Sequence, residues 1–502
     1  MRRGGEALVV LTVSAAKARA ARHGRARALV LLVVHLVIAA HIAHWLLAGR
    51  TVAPLELNES MYTLERGVIT VGGILMALIV LSVFVFGRFF CSWGCHVLAL
   101  QDGAAWLLER VGIRPRPVRS RLAPLVGLSV AFYMFAWPQV ERLWFKQPWA
   151  GLRVTTDEDG LGSLVTSDFL RNLPGPWVAG ATFLVCGGVL VWLLGTRSFC
   201  RFACPYGAAF SIVDRVSIGG IRLTGDCDQC GLCTTVCTTH IRVHEEIAQH
   251  GRVVSPNCLK DLDCTKICPR NALSWGFGAP SLLRSIGNAN RSPNAWMWRE
   301  DVSLLGTTAL GVLIFRSLYG ELPLFLAVGI GLLLGWCAVM SMRMWTNENL
   351  RVARVQLRLH RRITRSGRVW WVLMVTVFVF VTHSAWIRWH EAQGQRAWQA
   401  CSLEPGIGAV SESGASAVEH LELVLAYGLW QPPYAHRMLA DVYAWMGQPA
   451  NAIPHAQRMT ELWPEATNRW QQLAALLRMT GDERGAERIE REHLGARSFD
   501  SD

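Results

Sequence analysis

Charge is scarce in this sequence: only 17% of its 502 residues are Asp, Glu, Lys or Arg, whereas 52% are hydrophobic. Charge that sparse cannot clothe a water-soluble protein of this length, which argues against a purely cytosolic enzyme, and the apolar content excludes intrinsic disorder. A nucleotide or flavin fingerprint is also missing. No G-x-G-x-x-G follows a strand-like run, so an electron donor has to be another protein or a quinol. Negative charge is in deficit until late in the chain: 41 Lys+Arg stand against 22 Asp+Glu before Glu391, and 9 against 15 from Glu391 to Asp502.

What is present in quantity is apolar runs. A membrane-spanning helix needs roughly 20 mostly apolar residues, and the windows that approach this are Ala28–Leu47, Gly67–Gly87, Leu122–Val140, Trp177–Gly195, Val302–Tyr319, Leu322–Met342 and Val369–Trp386. Basic residues collect in three segments: Lys17, Arg19, Arg22, Arg25 and Arg27; then Arg88, Arg110, Arg114, Arg116, Arg119 and Arg121; then Arg343 to Arg368. Lys and Arg mark the cytoplasmic side. All three segments share a side if seven helices cross with the N-terminus inside and the C-terminus outside. Basic loops beside apolar spans face anionic lipid, so nucleic acid is not an expected partner. The short apolar stretch Ala7–Val13 resembles a signal peptide core, but the Arg-rich run after it points to a cytoplasmic flank.

The cysteines fall into sets. The second span ends in Gly87-Arg-Phe-Phe-Cys91-Ser-Trp-Gly-Cys95-His96 and the fourth in Gly195-Thr-Arg-Ser-Phe-Cys200-Arg-Phe-Ala-Cys204-Pro205. Both are Phe-Cys-x3-Cys at the expected inner membrane face. An i,i+4 spacing predicts two thiols on one helical face. Four thiols from two equivalent hairpins then form a candidate redox or metal site, Cys91, Cys95, Cys200 and Cys204, with the stoichiometry of zinc or an iron–sulfur cluster. Cys186, Cys337 and Cys401 stand alone and receive no role.

Between the fourth and fifth spans lie Cys227-x2-Cys230-x2-Cys233-x3-Cys237 and Cys258-x2-Asp261-x2-Cys264-x3-Cys268-Pro269. This spacing wraps one cubane with three close thiolates and sends the fourth to a second cluster. Crossed ligation gives Cys227, Cys230, Cys233 and Cys268 to one [4Fe–4S] cluster. Cys237, Cys258 and Cys264 remain for the other, with Asp261 where a fourth cysteine belongs. A carboxylate is harder than a thiolate, which leaves an Asp-ligated [4Fe–4S], a [3Fe–4S] or a labile corner as alternatives.

Membrane hairpins ending in Cys-x3-Cys, followed by a two-cluster ferredoxin segment, resemble the NapH/NosR/CcoG-type bacterial membrane polyferredoxins over roughly residues 28–280. The resemblance implies electron transfer between the quinone pool or cytosolic donors and a membrane or periplasmic redox partner, in the bacterial cytoplasmic membrane. A self-sufficient metal or quinone reductase and a redox-sensing scaffold are the alternatives to a plain electron carrier.

His41 and His44 in the first span and His383 near the outer end of the last share one expected depth. Bis-histidine haem b, a quinol site, or packing with a hydrogen bond are the readings. After the last span, Leu439, Ala440, Tyr443, Gly447 and Ala452 recur 34 residues later as Leu473, Ala474, Leu477, Gly481 and Ala486. That period resembles tetratricopeptide repeats, whose concave face takes a protein or peptide partner.

The expected architecture is therefore mainly α: a polytopic bundle of about seven spans, an inserted cytoplasmic α+β two-cluster ferredoxin-like domain and a periplasmic α-helical repeat domain. Its parts are a basic N-terminus (1–27), a four-helix membrane region with both cysteine hairpins (28–205), the ferredoxin domain (206–280), a linker (281–301), three further spans around the basic loop 343–368 (302–387), and the repeats (388–502).

Overall fold

A computed structural model describes residues 2–113, 115, 118, 120–155, 164–170, 172–283, 296–403 and 411–494, the side chains of 2–13 apart. Arg114, Arg116 and Arg119 of the second basic segment, most of the 281–301 linker and the end of the chain lie outside the described residues. The chain divides into two units, residues 1–311 with 328–362, and residues 312–327 with 363–502.

The first unit is built on apolar helices. Helix α1 runs unbroken over Arg2–Ala48. Helix α2, Val71–Phe86, starts where the Thr70 side chain accepts a hydrogen bond from Gly73 N–H and stops at Gly87, whose φ of +79° only glycine adopts cheaply. Helices α3 (Phe89–Trp93) and α4 (His96–Arg110) follow, then α5 (Ala123–Trp144) and α6 (Pro176–Leu194). Helix α6 ends as α2 does, at Gly195 with φ +100°. Helix α7, Pro205–Asp214, leads into strand β1, Gly219–Leu223.

The insert is small. Helices α8 (Leu232–Thr235), α9 (Val243–His250) and α10 (Asp263–Ile267) precede strand β2, Leu273–Phe277. Strands β1 and β2 pair antiparallel, with Ile221 opposite Trp275 and Leu223 opposite Leu273. This sheet seats on the end of α2: Ile218 N–H donates to the Phe84 carbonyl at 3.3 Å and the Trp275 indole to the Phe86 carbonyl at 3.3 Å. Ile221, Ile241, Val243, Ile247, Val253, Ile267 and Leu273 make an apolar core around Cys233, Cys258 and Cys264.

Helices α11 (Trp298–Phe315) and α12 (Leu324–Thr346) cross through small residues: a Cβ on Gly331 would lie 2.6 Å from the Thr308 carbonyl oxygen. The basic loop 343–368 is not structureless, since it contains a hairpin of β3 (Leu350–Val352) and β4 (Val355–Leu359).

Helix α13 of the second unit, Arg365–Leu403, is followed by α14 (Glu412–Tyr427), α15 (Pro433–Trp445), α16 (Pro449–Leu462), α17 (Thr467–Met479) and α18 (Glu483–Ile489). Residues 34 apart occupy equivalent places. Leu439 and Ala440 are buried like Leu473 and Ala474, and Gly447 (φ +70°) and Gly481 (φ +84°) make the same left-handed turn.

Two expectations are corrected. The boundary at 387/388 falls inside the continuous helix α13. The fifth apolar window does not run to Tyr319: α11 ends at Phe315, and Ser317 and Tyr319 are left-handed. Among the described residues five helices are long and apolar enough to cross a membrane, Ser14–Ala48, Ala123–Trp144, Pro176–Leu194, Leu324–Thr346 and Arg365–Leu403. Helix α2 is apolar but has 16 residues, and α11 opens with charged Arg299, Glu300 and Asp301.

Candidate functional site

The two cysteine loops of the insert have the same backbone. Two and four residues after Cys227, Gln229 and Gly231 are left-handed (φ +53° and +74°); two and four after Cys258, so are Lys260 and Leu262 (φ +57° and +66°). Three residues after Cys237 and Cys268 the pattern recurs at His240 and Asn271 (φ +60° and +52°). The next amides, Ile241 and Ala272, donate to the sulfurs of Cys237 and Cys268 at 3.4 and 3.3 Å. Such alternation turns successive N–H groups inward to make an anion-binding nest of the kind that lines iron–sulfur sites. A leucine pays roughly 1–2 kcal/mol for the left-handed state, so Leu262 signals that the second loop is held in this shape.

Cys227, Cys230, Cys233 and Cys268 line one cavity, together with His244 and Pro269. Cys230 is exposed and Cys233 buried. Cys258 and Cys264 are both buried, and Cys264 lies within electrostatic reach of Cys258, Asp261 and Cys237. Burial lifts the thiols of Cys233 and Cys258 to about 11 and about 12, so each holds its proton until a cation takes that place. Among the described residues no three Cys, His, Asp or Glu side chains stand close enough to share one metal ion.

Asp261 points its Oδ2 at Arg197 Nη1 (2.9 Å) and accepts from Thr238 Oγ1 (2.8 Å). Burial alone would raise its carboxyl; Arg197, Thr238 and Arg27 outweigh burial and hold it below the usual range. Desolvation, with the neighbouring Asp261 adding to it, raises half-buried Asp263 to about 6.

The Cys-x3-Cys pairs are not on single helical faces, which corrects the i,i+4 expectation. Helix α3 ends at Gly94, and Cys95 is extended (φ −85°, ψ 118°) at the cap of α4. Cys200 sits in a wide turn, Phe199–Ala203, and Cys204 is extended (φ −71°, ψ 115°) before Pro205 starts α7. The helix break lets the second sulfur cap α7: Gly207 N–H donates to Cys204 Sγ at 3.3 Å. Gln101 Nε2 donates to Cys200 Sγ at 3.1 Å. Burial raises Cys200, with Cys204, Cys95 and Cys91 as neighbouring charges adding to it, so the four thiols do share a neighbourhood.

Sequence reasoning missed the arginines. Arg88 and Arg197 each stand three residues before the first cysteine of a pair, and both are buried, 3% and 0% exposed. Each reaches the insert: Arg88 Nη1 donates to the Pro256 carbonyl at 2.8 Å, and Arg197 binds Asp261. The signal was in the repeat itself, a basic residue at the same step in both copies. Ser92 Oγ donates to the Leu259 carbonyl at 2.7 Å.

The basic N-terminal flank does more than face lipid. Arg19 Nη2 donates to the Cys268 carbonyl at 2.9 Å, His23 Nε2 bonds the Asp261 carbonyl at 2.8 Å, and Arg27 pairs with Asp102 at 3.1 Å and Asp263 at 3.3 Å. The His23 ring also stands edge-on to Trp93, 5.4 Å between centroids, between Cys91 and Cys95 in sequence.

The membrane histidines have local partners. His41 Nε2 bonds the Val52 carbonyl at 3.0 Å, His44 Nδ1 bonds Thr51 Oγ1 at 2.9 Å, and in the second unit His383 Nε2 bonds the Tyr427 carbonyl at 3.1 Å.

Comparison with known proteins adds a further observation about the hairpins. Residues 68–114 and 177–223 each match a family model described as a 4Fe-4S binding domain. The chain carries that domain twice. These matches contain Cys91, Cys95, Cys200 and Cys204, and end before Cys227. The chain is homologous to ferredoxin-type proteins. It is 32% identical over 192 residues to the methylamine utilization ferredoxin-type protein MauN of Methylorubrum extorquens, covering 36% of this chain and 58% of that relative. It is 26% identical over 219 residues to the ferredoxin-type protein NapH of Haemophilus influenzae, 40% of this chain and 66% of the relative. To MauN of Paracoccus denitrificans it is 31% identical over 176 residues, 33% of this chain and 53% of the relative. The chain thus spans less than two thirds of each of these relatives. No solved structure matches it.

Proposed function

We propose that this protein is a membrane-bound iron–sulfur electron carrier that passes electrons between a quinol or cytosolic donor and a membrane or periplasmic redox partner. The observation that carries the reading is the pair of equivalent cysteine nests, the second of which is fastened to both hairpins by Ser92–Leu259 and Arg197–Asp261. In this reading Cys227, Cys230, Cys233 and Cys268 hold a [4Fe–4S] cluster, and Cys237, Cys258 and Cys264 hold a second iron–sulfur cluster. The donor set fits: the sulfurs are unpaired, lie among apolar residues, receive backbone N–H groups, and do not close on one ion as a zinc site would. Iron–sulfur clusters supply one-electron exchange without proton transfer.

The residues around them set direction. Exposed Cys230 makes the first set the entry, and buried Cys258 and Cys264 form the inner station. Cys91, Cys95, Cys200 and Cys204, within the matched 4Fe-4S domains, form the station at the membrane face. A common cytoplasmic side for the basic loops is supported by Arg354 Nη2 donating to the Gly112 carbonyl at 2.6 Å, which joins the second and third basic segments. The C-terminal helical repeats then fall in the periplasm, where their concave face would dock a protein or peptide partner.

Anaerobic reconstitution with iron and sulfide tests the proposal. About seven or eight irons from the insert, plus any at the hairpins, and reversible bleaching by a one-electron reductant are expected. A chain that retains no sulfide-bridged iron would reject it.

A further inference from the structure

The charges buried between the second cysteine loop and the hairpins carry an inference that rests on the thiolate assignments above. Arg197 is wholly buried. Its Nε and Nη2 donate to Asp102 Oδ1 and Oδ2, both at 3.0 Å, and its remaining Nη1 donates to Asp261 Oδ2 at 2.9 Å. Asp102 cannot neutralise Arg197 alone, because its Oδ2 also serves Arg27 at 3.1 Å. Arg27 also reaches Asp263 at 3.3 Å and Asp261 at 3.7 Å, so two arginines share three carboxylates, and Asp261 is the one that meets the side of Arg197 left open by Asp102. Removing Asp261 takes a counter-charge from a guanidinium that no water reaches.

We propose that Asp261 is the counterion of Arg197 and not an iron ligand, so that the second cysteine set presents three thiolates, Cys237, Cys258 and Cys264, and one corner without a protein ligand. The loop backbone gives position 261 the place that Cys230 has in the first copy, yet both carboxylate oxygens are already engaged: Oδ2 accepts from Arg197 and from Thr238, the residue after Cys237, and Oδ1 accepts from Asp263 N–H at 3.4 Å. A carboxylate shared with iron would withdraw charge from the buried guanidinium, and a neutral thiol would supply none. Asp261 thus fastens the second loop to the turn that carries Cys200, three residues beyond Arg197. The second site takes a three-iron cluster, or a fourth iron held by an exchangeable small ligand.

Four full-length chains in detergent separate the possibilities: wild type, Asp261→Asn, Arg197→Gln and the double variant. Each is read for its melting midpoint without iron, then for iron per chain and low-temperature EPR after anaerobic loading with ferrous iron and sulfide. The proposal expects either single variant to lower the iron-free midpoint by several degrees, the double variant to lower it no further, and iron and EPR to match wild type in every folded variant. Additive losses of midpoint overturn the ion pair. Lost iron or a changed spectrum in Asp261→Asn, with its iron-free midpoint unmoved, overturns it in favour of an iron-bound carboxylate. A Cys264→Ser chain that keeps its full iron rejects the underlying cluster assignment and the three-thiolate conclusion, while the iron-free midpoints still decide the ion pair.

Discussion

The Ser92 hydroxyl donates to the Leu259 carbonyl at 2.7 Å, in a fully buried contact between segments 167 residues apart. Ser92 follows Cys91 and Leu259 follows Cys258, so this hydrogen bond joins a hairpin thiol to a loop thiol through two peptide units. Replacing Ser92 by alanine leaves the carbonyl unpaired in a dry site, at a cost of about 1–3 kcal/mol. The expected result is a lower unfolding midpoint and faster amide exchange over residues 258–262; unchanged exchange there would show that the contact does not hold the loop.

Cys230 is exposed in a cavity that its three companions line, whereas Cys258 and Cys264 are buried. A chelator titrated into the iron-loaded protein should strip the first set well before the second. Cys230→Ala should lower iron by about four per chain with the second site's EPR signal retained; simultaneous loss of both signals would contradict two separable sites.

Gly331 faces Gly311 across the α11–α12 crossing, where an added Cβ would meet the Thr308 carbonyl oxygen at 2.6 Å. Because backbone sits on the far side, no side chain can swing aside. Gly331→Leu should destabilise the helix pair by about 1–3 kcal/mol, read as a lower melting midpoint in detergent, while Gly306→Leu, at a glycine with open space around it, should not.

In the C-terminal helices, His436 Nδ1 and His455 Nδ1 share one hydrogen bond of 2.9 Å, in which one ring donates and the other accepts. Burial, with the second ring and Arg458 adding to it, lowers His436 from 6.5 to about 4. The unfolded chain binds the extra proton between those values. Stability from this pair is full above about pH 6.5 and is lost as pH falls towards 4. Hydrogen exchange of the full-length protein should show α15 and α16 loosening between pH 6.5 and 5; His436→Gln should flatten that response.

Arg19 donates to the Cys268 carbonyl from α1. Removing its charge as Arg19→Gln should shift the first cluster's midpoint potential downward, because a nearby cation favours the more negative reduced state. A redox titration by EPR that shows no shift would limit Arg19 to packing.

The proposed cluster ligation is legible in the cysteine spacing because it is local: three thiolates within one loop must reach corners of one cube, whatever surrounds them. Five of the seven apolar windows are helices long enough to cross a membrane among the described residues, readable because composition alone decides whether a segment tolerates lipid. Where those helices break was not readable. The i,i+4 pattern of Cys91 and Cys95 implies one face, but Gly94 ends the helix between them, and Pro205 begins a new one just after Cys204.

Asp261 shows the boundary most clearly. Its position after Cys258 made it a candidate ligand, and that inference used only neighbours in sequence. What its carboxylate binds was decided by Arg197, 64 residues earlier, and by the need of a guanidinium without water to find an acceptor for its Nη1 that Asp102 does not supply. Loop spacing fixed which sulfurs can meet; which charges are buried together, and therefore which side chain is free to hold a metal, depended on how the hairpins and the N-terminal helix close over that loop.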